Sequence, residues 1–100
     1  MALLRPRDAV GHEQRGSRYA VIASGNQLLA GSTVLICPTS TSAGPAIFRP
    51  EVEVRGVRTR VLVDQITAVD WHRLGDFVGA LNPDEMADVD RGLAYALGQA

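Results

Sequence analysis

Short apolar runs, separated by glycine, proline and polar residues, dominate the first eighty residues and predict strands rather than helices. The first run is 18–24, and the second is 33–37. We expect Pro38 to end the second run, because proline cannot donate to a strand ladder. Residues 11–18 are polar and rich in glycine, and residues 39–44 read TSTSAG. Both segments are therefore expected to be loops.

Residues 46–63 alternate between apolar and polar positions on both sides of Arg55 and Gly56, which predicts a β-hairpin with a two-residue turn. The same register places Phe48 opposite Val63. One face of this hairpin is apolar, and the other is expected to hold crossed charge pairs that belong to the fold. The charged residues are Glu51, Glu53, Arg58 and Arg60.

The end of the chain predicts one helix, with Asn82 as N-cap, Pro83 in the first turn and Gly98 as the stop. Its apolar face would carry Met86, Val89, Leu93 and Leu97. Residues 64–69 continue from the hairpin, and a helical turn capped by Asp70 precedes a last strand at 77–81. Before the first loop only residues 2–4 could supply a strand, so the first strand is very short or the chain start has been lost. Several strands followed by one helix indicate a small barrel with a terminal helix.

Length and composition predict one domain, 1–100, with an aliphatic core. So small a core would gain from burial in a dimer. Cys37 is the only cysteine, which excludes an internal disulfide and favours a reducing compartment. No apolar run approaches the ~20 residues that span a bilayer, so we expect no membrane partner and a cytoplasmic protein.

Charge is segregated along the chain. All ten basic residues are arginines; residues 1–60 hold eight of them against four acids, whereas residues 61–100 hold two against seven. The first part therefore has a net charge of +4 and the second −5. A basic face of arginines would suit phosphate, because the guanidinium can bond it bidentately. Ordinary solubilising charge explains the count equally well.

The segment 11–24, GHEQRGSRYAVIAS, resembles the signature of the MazF/PemK family of toxin endoribonucleases, roughly G-x-E-Q-x-G-x-R-P-A-V-V-V-S. Tyr19 stands where the family has proline. Residues 36–40, ICPTS, are similar to the family's V-P-x-T-S/T with the proline shifted by one place, and residues 61–66, VLVDQI, follow in the same order. The resemblance covers roughly 9–98. It implies an α+β, mainly β fold: an SH3-like small β-barrel of the MazF/PemK/CcdB type with a C-terminal α-helix, forming a homodimer.

The resemblance also implies the toxin of a type II toxin–antitoxin system. Such a toxin is a sequence-specific, metal-independent endoribonuclease that cleaves single-stranded RNA through attack by the 2′-hydroxyl. Arg18 and Thr39 match the family's catalytic residues, with the guanidinium stabilising charge on the phosphorane and the hydroxyl adding a hydrogen bond. Glu13 matches an active-site position, and it would either accept a proton or orient Arg18.

Other polar residues of the same stretches are candidates for RNA binding: His12, Gln14, Ser40, Thr41 and Gln65. Loop hydroxyls also bond their own backbone, and His12 could equally be an ordinary loop residue. Asp64 is expected to brace the barrel.

No metal and no cofactor are expected, because His12, His72 and Cys37 lack the spacing of metal ligands. The implied partner is a cognate, MazE-like antitoxin whose acidic tail would occupy the basic groove. Non-catalytic proteins of the same fold remain the alternative: a degenerate relative that acts as a binding module, or a CcdB-like gyrase inhibitor.

Overall fold

The computed structural model describes residues 9–13, 18–23, 33–70, 73–75 and 77–99, which form a mainly β fold with one C-terminal helix. The elements are β1 (Ala9–Glu13), β2 (Arg18–Ile22), β3 (Thr33–Ser40), β4 (Glu51–Val54), β5 (Val57–Val61), β6 (Thr67–Asp70), β7 (Phe77–Ala80) and α1 (Pro83–Ala96). A 3₁₀ turn, Val63–Gln65, joins β5 to β6. The predicted fold class is confirmed. The helical turn expected at residues 71–74 lies mostly outside the described residues, and Asp70 belongs to β6.

The strands form one curled, half-barrel sheet in the order β4-β5-β3-β2-β1-β7. Strand β3 is shared by three neighbours, all antiparallel to it. On one side it pairs with β2, and on the other it pairs first with β6, along 33–36, and then with β5, at Thr39 and Ser40. The strands on the β2 side and those on the β5 and β6 side of the sheet therefore meet at β3.

The expectation that Pro38 ends its strand is wrong, because β3 runs through it to Ser40. Pro38 lies opposite Ala20 of β2, and its carbonyl accepts a hydrogen bond from the Leu62 amide at 2.8 Å. This position falls between the β6 partners and the β5 partners of β3. A missing amide hydrogen is tolerated at such a break in the ladder.

The expectation of a loop at residues 11–18 is also corrected. Gly11, His12 and Glu13 belong to β1, where they lie opposite Ala20, Tyr19 and Arg18. This polar, glycine-containing segment forms a strand because it pairs with β2 on one side and β7 on the other. Tertiary context commonly overrides local strand propensity in this way. The strand sought at residues 2–4 lies outside the described residues.

The hairpin prediction is confirmed for β4 and β5, whose register runs from Glu51 opposite Arg60 to Val54 opposite Val57. Arg55 and Gly56 form the turn, both at positive φ, 50° and 80°. The prediction is wrong beyond these strands, because Phe48 lies in a turn closed by the Arg49 amide on the Ala46 carbonyl at 2.9 Å. Strand β4 begins only at Glu51 because Pro50, which cannot donate to the ladder, directly precedes it.

Helix α1 begins and ends as predicted. The Asn82 side chain accepts from the Glu85 amide at 2.7 Å, and Glu85 accepts from the Asn82 amide at 3.0 Å, which completes a capping box. At the other end Gly98 has φ 75°, and its amide and that of Gln99 close the last turn. Val89 is buried, but Leu97, expected on the buried face, is exposed because it lies beyond the last helical residue.

The core is aliphatic, as expected, and is formed by the inner faces of β2, β3, β4 and β5 with Val63 and Val89. Its largest fully buried side chains are Val21, Ile22, Val34, Ile36, Cys37, Val61 and Val63. Two threonines, Thr39 and Thr59, are buried among them at 8% and 5% exposure. Of these two, only Thr39 lies where the sheet changes partners.

Candidate functional site

Three residues that the sequence singles out lie on three neighbouring strands. Glu13 ends β1 and Arg18 begins β2, and the two are direct cross-strand partners. Thr39 follows the last residue pair of the β2–β3 ladder, Ala20 with Pro38. The backbone therefore brings the three positions to one end of the β1–β2–β3 sheet. The side chains of Glu13 and Arg18 lie outside the described part of the structure.

The two remaining residues of the first motif are placed less fully. His12 lies in β1 opposite Tyr19, one position from the Glu13–Arg18 pair. Its side chain also lies outside the described part of the structure. Gln14 falls wholly outside the described residues. Their predicted contact with RNA stays a prediction.

Thr39 makes the contact that defines this end of the sheet. Its Oγ1 hydroxyl donates to the Tyr19 carbonyl oxygen at 3.0 Å, and the residue is 8% exposed. On its other side the backbone of Thr39 is paired with Val61 of β5. The hydroxyl thus ties β3 to β2 where β3 turns towards β5.

The hydroxyl loop after β3 is held by Ser40, which is the last residue of the strand rather than part of the loop. Its Oγ accepts hydrogen bonds from the amides of Ser42 at 3.2 Å and Ala43 at 3.1 Å. It also lies 3.2 Å from the Ser42 hydroxyl. Thr41, in contrast, is exposed. The structure therefore gives Ser40 a local role in shaping the loop and leaves Thr41 accessible.

The 3₁₀ turn lies next to this end of β3, because the Leu62 amide bonds the Pro38 carbonyl. Gln65 is exposed on it. The Asp64 carboxylate forms an ion pair with the Arg49 guanidinium at 3.2 Å. The hydrogen bond from Arg49 holds the pKa of the Asp64 carboxyl below its usual range. Asp64 thus joins the 3₁₀ turn to the turn before β4, which fits the bracing role expected from the sequence.

The hairpin arginines are engaged in the fold, as predicted. Arg58 donates to Glu51 at 2.9 Å, which lowers the pKa of Glu51, although this pair is diagonal rather than directly opposite. Arg60 donates to the Arg49 carbonyl at 3.1 Å. These contacts reduce the number of arginines among the first sixty residues that are available to bind a polyanion.

A thiol nucleophile is disfavoured at this end of the sheet. Burial, with a smaller contribution from Asp64, raises the pKa of the Cys37 thiol to about 12, so the thiol stays protonated at neutral pH and is a poor nucleophile. No group of three or more metal-ligating side chains occurs within the described ranges. Within the same ranges, no helix is long and apolar enough to cross a membrane.

One feature was missed by sequence reasoning: an apolar patch at the end of α1, formed by the half-buried Phe48 and the exposed Tyr95 and Leu97. The rings of Phe48 and Tyr95 stack with centroids 6.2 Å apart, beside a groove of about 380 Å³ whose floor includes Val63. The sequence signal for this patch was the apolar end of the helix, where Leu97 was predicted to lie on the buried face.

Comparison with known proteins gives a consistent result. Residues 1–97 match the family model described as PemK-like, MazF-like toxin of type II toxin–antitoxin system. The candidate toxin Rv3098A of Mycobacterium tuberculosis is 52% identical over 89 residues, which cover 88% of this chain and 83% of that protein.

Solved structures show the same fold. The Mycobacterium tuberculosis toxin MazF-mt6 superposes with a TM-score of 0.80 at 16% identity, covering 96% of this chain and 99% of its own. An endoribonuclease from a mycobacterial species gives 0.81 at 21% identity, covering 95% and 92%. A mycobacterial endoribonuclease in complex with its cognate antitoxin gives 0.78 at 22% identity, covering 91% and 90%. At these identities the similarity concerns the fold alone.

Proposed function

Because this chain belongs to the PemK-like, MazF-like toxin family of type II toxin–antitoxin systems, we propose that it is a sequence-specific, metal-independent endoribonuclease acting on single-stranded RNA. The observation that carries the proposal is the strand register. It sets Glu13 opposite Arg18 and brings Thr39 next to Tyr19, so that a carboxylate, a guanidinium and a hydroxyl residue share one end of the sheet.

The proposed reaction is an attack of the RNA 2′-oxygen on the adjacent phosphorus. A bond forms between O2′ and phosphorus, the bond from phosphorus to O5′ breaks, the 2′-hydroxyl proton passes to a base, and the departing O5′ gains a proton. Charge builds on the non-bridging oxygens, where the Arg18 guanidinium would stabilise it. Glu13 would take the proton or hold Arg18 in place; arginine is a poor base because its pKa exceeds ~12.

RNA contacts outside the reacting phosphate would come from residues around the same end of the sheet. Thr41 and Gln65 are exposed and carry groups that bond phosphate, sugar or base edges. His12 and Gln14 belong to the same motif as Arg18, and Ser40 would act through the loop that it holds. A cognate antitoxin with an acidic segment would compete with RNA for this end of the sheet in the cytoplasm, where the RNA substrate is found.

We further propose that the apolar patch of Phe48, Tyr95 and Leu97 binds a second copy of the chain. Tyr95 and Leu97 are 50% and 60% exposed, which is unfavourable for large side chains that line the same groove in a small aliphatic domain. A stable interface needs about 800 Å² from each partner, so the patch would form its centre. Sedimentation at micromolar concentration should show a dimer, and Leu97→Asp should dissociate it. A wild-type monomer would contradict the assignment.

The test of the function is cleavage of a long single-stranded RNA with EDTA present. Arg18→Ala should reduce the rate by roughly 10²-fold or more, as loss of a fixed charge-stabilising donor does. Arg18→Lys should rescue poorly, because one ammonium cannot reproduce the fork. Arg58→Ala is the matched control, since Arg58 is engaged with Glu51, and it should keep the wild-type rate.

Each result has a defined meaning. Equal rates for Arg18→Ala and wild type would refute the catalytic assignment, and a requirement for Mg²⁺ would refute the mechanism. A folded wild-type protein that cleaves no RNA would indicate the non-catalytic binding module instead.

A further inference from the structure

The turn of the β4–β5 hairpin holds an arginine in an unfavourable backbone conformation. Arg55 has φ 50°, the left-handed region that glycine and asparagine adopt far more readily than a long side chain does. A two-residue turn with both residues at positive φ is usually made by Asn-Gly or Asp-Gly. Only its second residue, Gly56 at φ 80°, follows that preference here. Arginine therefore lowers the stability of this turn, which is typical of a residue that serves a function.

Arg55 also differs from the arginines on the strands of the same hairpin, because it has no partner in the fold. Arg58 donates to Glu51, and Arg60 donates to the Arg49 carbonyl. Arg55 is exposed, and among the residues that the structure describes no hydrogen bond, ion pair or ring contact engages its guanidinium. Its donors are therefore available to an anion.

The strand register places this turn at the end of the sheet that carries the candidate site. Thr39 lies opposite Val61 and Ser40 opposite Arg60, so β5 leads back to the turn in the direction in which β3 runs. At about 3.4 Å per residue, the turn stands roughly 15 Å beyond the Thr39–Val61 pair. An RNA strand whose reacting phosphate lay at this end of the sheet would bring a phosphate a few nucleotides away within reach of Arg55.

The hairpin is held firmly enough to fix the position of its turn. The Glu53 amide, two residues before Arg55, donates to the Glu85 carboxylate of α1 at 2.8 Å. Across the hairpin, Arg58 and Glu51 form an ion pair at 2.9 Å. A charged group on a fixed element loses less conformational entropy on binding than the same group on a mobile loop.

We propose that Arg55 forms a second RNA contact, in which its guanidinium binds a phosphate of the substrate strand away from the reacting bond. The inference rests on the proposed RNA cleavage. Phosphate contacts position a nucleic acid without reading its sequence, and arginine can bond two phosphate oxygens at once. Arg55 would thus raise the affinity for the RNA strand and leave the chemical step to the residues at the reacting phosphate.

The first test is Arg55→Asn, which should change stability and affinity in opposite directions. Asparagine suits the turn, so the variant should melt roughly 2–4 °C above wild type. It removes the charge, so single-stranded RNA should bind about 2- to 5-fold more weakly. The probe is a long 2′-O-methyl RNA of mixed sequence, whose blocked 2′-oxygen cannot attack. Arg91→Asn is the matched control, because it makes the same change at an exposed arginine that is paired with Asp88, and it should leave the affinity unchanged.

The salt dependence of the affinity identifies the contact as one to phosphate. Each phosphate bound in a single strand contributes about 0.7 to the slope of log K against log salt concentration. Arg55→Asn should reduce the magnitude of that slope by about 0.7, and Arg91→Asn should not change it. Equal affinity and slope for Arg55→Asn and wild type would overturn the proposal. Weaker binding of poly-glutamate with unchanged binding of RNA would overturn it in favour of an acidic protein partner.

Cleavage of a long RNA with EDTA present separates this proposal from the proposed function. Arg55→Asn should raise KM about 2- to 5-fold and leave kcat unchanged, because Arg55 lies away from the reacting phosphate. A fall in kcat with no change in KM would overturn the remote contact. If wild type cleaves no RNA but binds the methylated RNA with the expected dependence on Arg55, the proposed function fails and the RNA contact stands. If wild type cleaves RNA and Arg55→Asn alters neither KM nor affinity, the contact fails alone.

Discussion

Replacing Glu85 by alanine should destabilise the protein more than replacing any other acidic residue of α1. Its carboxylate accepts two backbone hydrogen bonds from different elements. One oxygen accepts from the Asn82 amide at 3.0 Å, within the capping box, and the other accepts from the Glu53 amide of β4 at 2.8 Å. Because β4 is an edge strand among the strands that the structure describes, this side chain joins the start of the helix to that edge of the sheet.

The magnitude follows from what each variant loses. A partly exposed hydrogen bond to a charged acceptor contributes about 1 kcal/mol, and a carboxylate in the first turn of a helix about 0.3–1 kcal/mol. Alanine regains a few tenths in helix propensity. Glu85→Ala should therefore lower the free energy of unfolding by about 2 kcal/mol. Glu85→Gln should lower it by about 1 kcal/mol, because its amide retains one acceptor oxygen and presents a donor to the other backbone amide.

Thermal and urea unfolding measure both values. A loss of 2 kcal/mol corresponds to a fall in Tm of roughly 8–16 °C in a domain of this size. Asp84→Asn is the control, since Asp84 occupies the same first turn without taking part in the capping box. Its effect should stay within ~0.5 kcal/mol. If Glu85→Ala destabilised the protein no more than Asp84→Asn, the connection between the helix and β4 would be refuted. If Glu85→Gln and Glu85→Ala destabilised it equally, the assignment of two hydrogen bonds to the carboxylate would be refuted.

Three further substitutions test the packing and the buried thiol. Val89→Asp should unfold the protein, because it places an unpaired charge at a position 3% exposed, and a melting point near that of wild type would contradict the facing of α1. Gly92→Val should lower the free energy of unfolding by about 1–3 kcal/mol, because even its Cβ would stand 3.3 Å from Pro50 and 3.4 Å from Val63; a neutral result would contradict this close approach. The Cys37 pKa, raised from 9.0 to about 12, makes the folded state retain a proton that the unfolded chain loses. Stability should thus be full below pH 9 and fall towards pH 12, and Cys37→Ala should flatten that decline; identical pH profiles would exclude the thiol as its cause.

Local chemistry made the hairpin and the helix predictable. A two-residue turn fixes its register by itself, so alternation around Arg55 and Gly56 was enough to pair Glu51 with Arg60. The capping residues Asn82 and Glu85 act within one helical turn, and their hydrogen bonds follow from their spacing.

Contacts between distant segments were not predictable in the same way. Pro38 reads as a strand end until it is known that β3 changes partner there. Gly11 and Glu13 read as loop because their strand depends on β2 and β7, which come later in the chain. The candidate site followed the same division: the motif predicted Arg18, Glu13 and Thr39 as site residues, but the bond from Thr39 to Tyr19 depends on how two strands diverge in space. Ser40 was expected to be a loop residue for the same reason.

The sharing of β3 among three strands has a consequence for the order of folding. The β4–β5 hairpin pairs residues that are close in sequence, such as Val54 with Val57, and hairpins of this kind form in about 1–10 μs. The pairs of β3 span much longer loops, from Ile36 with Ile22 to Thr33 with Asp70. Long-range pairing is slow, because the entropy of loop closure is lost before the contacts compensate for it. The rate-limiting event is therefore expected to be the docking of β3, so the end of the sheet that carries the proposed site is completed last.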